Sequence, residues 1–196
     1  MRWKDPCDWE TMSIPREPPP AKLVTGLLFR DLQIQREALF ELESLFGPID
    51  FLSPAEPFSY TSYYDREMGE GVLRQVAGFL DLVSQGALPP IKHRTNQLEI
   101  RLSAEGRRRI NIDPGLLSDE RMVLATGKNY THRIYLREGI YADLTLIYQK
   151  GGFQVLPWTY PDYRRGELLH YLGVLRRKLI FQRRKRLPGM CRGGEF

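Results

Sequence analysis

Cysteine is nearly missing from this chain, with two in 196 residues, Cys7 and Cys191, one near each end. That scarcity excludes a disulfide framework, and neither residue has a partner at metal-ligand spacing, so no zinc site is expected. Histidine is almost as rare, with three residues. His93 and His170 fall within helical patterns without assembled partners, which leaves His132 as the one to consider for proton transfer. Long apolar runs are also lacking: nothing approaches the ~18 residues of a membrane span. The opening Met-Arg-Trp-Lys-Asp-Pro is not followed by the apolar core of a secretory signal. A cytoplasmic protein in a reducing compartment is the expectation.

What is present fits one domain of ordinary soluble composition. The net charge of +5 is unevenly placed. From Arg164 to Arg186 there are nine basic residues against the single acid Glu167, so this segment carries +8 and the rest of the chain sums to -3. Residues 1–20 are Pro-rich and aperiodic, ending in Pro18-Pro19-Pro20, and are expected to be a disordered lead-in. The folded domain is expected over 21–186, with a disordered tail over 187–196.

Hydrophobic periodicity orders the elements. Lys22–Phe29 is nearly continuous apolar sequence, the mark of a strand buried on both faces. Asp31 is placed to cap a helix carrying Ile34, Ala38, Leu42 and Leu45, which Gly47-Pro48 ends. Strands are expected at Ile49–Leu52 and, in preference to a helix, at Leu73–Leu80, then a helix opened by Pro89-Pro90 with Ile91, Thr95, Leu98 and Leu102 on one face. Arg108–Asp113 is the next strand, with Asp113-Pro114-Gly115 as a tight turn and Ser118 capping a short helix through Ala125. Strand segments at Arg133–Leu136, Tyr141–Tyr148 and Phe153–Leu156 precede a long basic helix from Arg165 to about Arg186. Strand, helix, strand, strand, helix, strand is the order of a split βαβ unit. The expected class is therefore α+β, with a ferredoxin-like core, an added C-terminal β-hairpin region and a long terminal helix.

The segments PREPPPAKLVTGLLF, LFGPIDF, YYDREMG, IKHRTNQLE, RRRINIDPG, VLATGKNYTHRIYL, GIYADLTL and LPWTYPDYR resemble, in order, the blocks of the domain-of-unknown-function family 4416. The resemblance runs from about Pro15 to Arg165. It implies a prokaryotic protein of about this length and supplies no activity, although members are sometimes labelled GTP-binding. A P-loop does not support that label here. Gly-x4-Gly-Lys-Ser/Thr wraps phosphates in backbone amides and brings a hydroxyl to magnesium. At Gly127-Lys128 the earlier glycine position is Met122 and the hydroxyl position is Asn129.

Candidate chemistry concentrates between Lys92 and Tyr160. Alternation places Arg109, Asn111 and Asp113 in a row on one strand face, and Lys92, Asn96 and Glu99 share a helix face that either meets that row or is simply solvated. Asn111 and Asp113, joined by Glu99 or Asp143, are hard oxygen donors suited to a divalent cation such as magnesium or manganese; the alternative is that Asp113 only shapes its turn. Lys128, His132 and Arg133 make an anion corner, with Gly127 and Asn129 able to expose backbone amides. His132 and Asp113 are the candidate catalytic groups. Asn96, Arg109, Asn111, Lys128 and Arg133 are candidate substrate contacts, as are Tyr141, Trp158 and Tyr160. The last two stand on the Pro157–Arg164 strap, which either walls a pocket or packs over a sheet edge.

Besides a plain interaction protein with no site chemistry, two functions compete at this level. One is binding or processing of a phosphorylated or nucleotide-like small molecule at this Lys/His/Arg/Asp/Asn cleft. The other is an RNA-binding accessory module using the aromatic strap and the phosphate-seeking charges of Arg183, Arg184, Lys185 and Arg186.

Overall fold

A computed structural model describes residues 14–61 and 64–184. Cys7, Cys191, Lys185 and Arg186, with most of the expected lead-in and the whole tail, lie outside those residues. The first strand, β1, is Ala21–Phe29, and all nine of its residues are buried. It earns that burial by pairing on both edges. Helix α1 (Leu32–Phe46) follows, its N-terminus closed by Asp31, whose side chain accepts the Gln33 N–H at 2.7 Å. That bond holds the Asp31 carboxyl below the usual aspartate range. Strands β2 (Ile49–Leu52) and β3 (Glu56–Pro57), the short helix α2 (Asp65–Met68) and strand β4 (Leu73–Val83) come next. A 3-10 turn at Gln85–Ala87 leads into α3 (Leu88–Arg101).

The remainder is mostly sheet: β5 (Ile110–Leu117), β6 (Arg121–Thr126), β7 (Arg133–Arg137), β8 (Ile140–Gln149) and β9 (Gly152–Val155). Helix α4 (Gly166–Arg184) closes the described chain. The described residues form a mixed α/β protein with three long helices and one large antiparallel sheet. Strand order is β2-β4-β1-β5-β6-β8-β7. One edge of β8 pairs with β6, while β7 and β9 divide the other, at Ile140–Asp143 and Leu146–Gln149 respectively. Among the described residues no helix is long and apolar enough to cross a membrane.

Alternation on β1 splits the core in two. Leu23, Leu27 and Phe29 pack with Ile34, Ala38 and Leu42 of α1 and with Ile91 and Leu98 of α3. On the opposite face Val24 joins Leu168, Leu172 and Leu175 of α4. Each buried leucine contributes about 1.5–3 kcal/mol.

Two local expectations fail, for related reasons. Asp113-Pro114-Gly115 is no turn but the middle of β5, with Asp113 opposite Gly26 and Pro114 opposite Thr25 of β1. Pairing to β1 overrides the turn preference of the triplet, because Pro114 faces its missing N–H away from that partner. Likewise 118–125 is no helix. Ser118 takes part in a hairpin turn, its N–H bonded to the Arg121 carbonyl at 2.9 Å, and the following residues form β6. Met122 and Leu124 bury into the α4-side core, and that alternation wins over the cap signal.

Candidate functional site

Strands β5 and β6 pair only where Gly115–Leu117 meets Met122–Leu124. Before that point they part. Ile112 turns its N–H and C=O away from β1, and Pro114, of the same parity, has no N–H to offer β6, so the ladder stops there. Gly115 allows the close approach that remains, since a Cβ there would stand 2.7 Å from the Val123 carbonyl oxygen.

Helix α3 fills the place of the missing strand. Glu99 accepts the Ile112 N–H at 2.7 Å, and the Lys92 ammonium donates to the Ile112 carbonyl at 3.0 Å. Two charged side chains thus complete a strand edge. A cavity of about 670 Å³ opens between the parted strands, with Lys92, Asn96 and Glu99 on one side and Thr126, Gly127 and Lys128 on another. Phe58, Tyr60 and Tyr64 form an aromatic wall, and Tyr160, Asp162 and Tyr163 stand in the remaining one.

Asn111 and Asp113 reach the cavity from β5 and are tied together. Arg108 Nη1 donates to Asn111 Oδ1 at 2.6 Å, and Asn111 Nδ2 donates to Asp113 Oδ2 at 2.6 Å. Arg108 also lies 3.3 Å from Glu67 and 3.7 Å from Glu99. Burial pushes the Glu99 carboxyl above its ordinary value, against the pull of Lys92 and the Ile112 N–H. Burial does the same to Asp162, which pairs with Arg74 at 3.0 Å, and to the phenols of Tyr160 and Tyr163.

The cavity gathers five of the expected site residues: Asn96, Asn111, Asp113, Lys128 and Tyr160. Two more stand directly behind its wall. Arg133 donates through Nε to Asp143 at 2.9 Å, through Nη1 to the Lys128 carbonyl at 2.9 Å and through Nη2 to the Tyr160 hydroxyl at 2.5 Å. One guanidinium therefore ties β8, the Lys128 loop and the strap. His132 lies 3.4 Å from the same Asp143 oxygen, its ring stacked on Trp158 at 5.1 Å.

Three residues serve elsewhere. Arg109 precedes β5 and pairs with Asp31 at 3.0 Å, so the expected row of three begins at Asn111. Trp158 backs His132 and donates to the Leu144 carbonyl, and Tyr141 meets the edge of Tyr135. Arg108, Thr126, Asp162 and the aromatic wall carried no assigned role in the sequence. The Arg107–Arg108–Arg109 run and the clustering of Phe58, Tyr60 and Tyr64 were the signals available, but neither says which side chain turns inward. Of the proposed cation ligands, Asp143 is held by Arg133, and Asn111 and Asp113 by each other. Among the described residues, no three His, Cys, Asp or Glu side chains assemble as a metal site.

Two of the arginines of α4 are held within the protein. Arg176 donates to the Asp119 carbonyl and lies over the Tyr148 ring, and Arg183 pairs with Asp119 at 2.9 Å and donates to the Pro20 carbonyl.

Comparison with known proteins gives an identity without an activity. The chain belongs to the family described as a domain of unknown function (DUF4416), whose model matches residues 19–179. Nothing among the curated proteins or the solved structures matches it.

Proposed function

We propose that this member of the DUF4416 family binds a phosphorylated or nucleotide-like small molecule in the cavity between β5 and β6. One observation carries the reading: Asn96, Asn111, Asp113 and Lys128, from three separate segments, line a single cavity of about 670 Å³. That volume suits a small-molecule ligand. The aromatic wall supplies flat apolar surface, and Lys128 with the Gly127 backbone supplies the anion end. In this reading Arg133 and His132 hold the wall in place and do not touch the ligand. We also read β1, α1, β2, β4, α3 and β5 as a ferredoxin-like unit. The order β2-β4-β1-β5, antiparallel at every step, supports that assignment.

Thermal shift against nucleotides and sugar phosphates tests the function, because a ligand of the folded state raises apparent stability by mass action. At concentrations about 100-fold above Kd the folded state should gain about 2.7 kcal/mol. Asn96→Ala and Lys128→Ala should lose the shift while unfolding at the unliganded temperature. No shift with any phosphorylated compound refutes the proposal.

A further inference from the structure

Among the described residues four carboxylates line the cavity, and their exposure separates them. Side-chain exposure is 3% at Asp143, 11% at Glu99 and 13% at Asp162, but 40% at Asp113. The first three are committed within the protein, to Arg133, to the Ile112 N–H and to Arg74. Asp113 is different. Its Oδ2 accepts one bond from Asn111, and the Lys92 ammonium stands at 3.6 Å from Oδ1, too far for a hydrogen bond. An ionised carboxylate has about four acceptor positions, so most of its capacity faces the cavity. Asn96 adds an amide that lines the same space with no hydrogen-bond partner among the described residues.

The neighbours of Asp113 decide what kind of donor fits. Lys92 already faces it, and Arg108 joins it through Asn111. A cationic donor entering here would meet both positive charges. Neutral hydroxyl groups would not, and they can donate to Asp113 while exchanging hydrogen bonds with the Asn96 amide, which both donates and accepts.

We propose that Asp113 and Asn96 read the hydroxyl groups of a sugar ring, making the ligand a sugar phosphate that carries a vicinal diol. This rests on the cavity being the site of a phosphorylated ligand. A free sugar phosphate and the ribose of a ribonucleotide share the chemistry.

Calorimetric titration of the full chain with ribose 5-phosphate, AMP and 2′,3′-dideoxy-AMP tests it. AMP should bind at least about tenfold more tightly than its dideoxy analogue, because a site built for hydroxyls is left with unpaired groups without them. Asp113→Asn, close to isosteric, should abolish that preference while its urea midpoint shows the fold intact. Binding of ribose 5-phosphate without AMP supports the proposal and identifies a free sugar phosphate as the source. Equal affinity for AMP and the dideoxy compound overturns the hydroxyl assignment and leaves the phosphorylated-ligand reading standing. Failure of every phosphorylated compound to bind removes both.

Discussion

The Glu99 carboxylate accepts the backbone N–H of Ile112 at 2.7 Å, thirteen residues along the chain. A helix side chain therefore does what a neighbouring strand would otherwise do, and the cavity exists because of that substitution. Were β6 to pair along the whole of β5, the gap between the two strands would be closed.

Removing the acceptor should be costly. Glu99→Ala leaves a buried N–H without a partner and takes away one of the two carboxylates beside Arg108. The expected loss is roughly 2–3 kcal/mol. Glu99→Gln keeps an oxygen for Ile112 and should cost less than half as much. Urea unfolding of the two variants beside the wild type measures the difference.

The same residue gives the stability a pH dependence of defined sign. Burial holds Glu99 above the ordinary glutamate value of 4.5. As pH rises from that value toward the raised one, the unfolded chain has released its proton while the folded protein keeps it. Stability from this group is therefore full below about pH 4.5 and declines through that window. Asp162, also raised by burial, adds to the decline. Relative to wild type, Glu99→Gln should gain stability as pH climbs from 4 toward 7. Urea midpoints that track in parallel across that range would refute the assignment.

Arg133 should matter more to the fold than its place outside the cavity suggests. Arg133→Ala leaves Asp143, whose side chain is 3% exposed, without its guanidinium, and breaking such a pair costs about 3 kcal/mol. It also frees the Lys128 loop and Tyr160 together. Arg133→Lys should fail to restore stability, since one ammonium cannot reach three acceptors in a fork. Chemical denaturation checks both variants.

Two glycines offer a controlled contrast. A Cβ at Gly115 meets the Val123 carbonyl oxygen at 2.7 Å, whereas one at Gly78 meets the methyl end of Leu175 at 2.6 Å. Backbone cannot yield as a side chain can. Gly115→Ala should cost about 1–3 kcal/mol and Gly78→Ala less, with thermal unfolding as the measure.

Much of the fold is legible along the chain, because it rests on patterns that neighbours enforce. The apolar run of β1 and the Asp31 cap are local signals, and the structure keeps them. The failures sit where a local preference met a stronger distant partner. Asp113-Pro114-Gly115 has turn chemistry, but eight residues of pairing to β1 straighten it. Ser118 has cap chemistry, yet Met122 and Leu124 bury better as alternating strand residues.

The sequence by itself determined which groups this protein can bring to a ligand. The Asn, Asp and Lys chemistry of 96, 111, 113 and 128 is readable there, as is the absence of a P-loop. Tertiary structure alone decided which of them meet. Arg108 turns inward while Arg109 turns to Asp31, and Arg133 and His132 become supports because Asp143 lies between them and the cavity. The reason is geometric. Side-chain identity is fixed residue by residue, but a cavity is made where two strands stop pairing, and that depends on Pro114, Lys92 and Glu99 acting together across the fold.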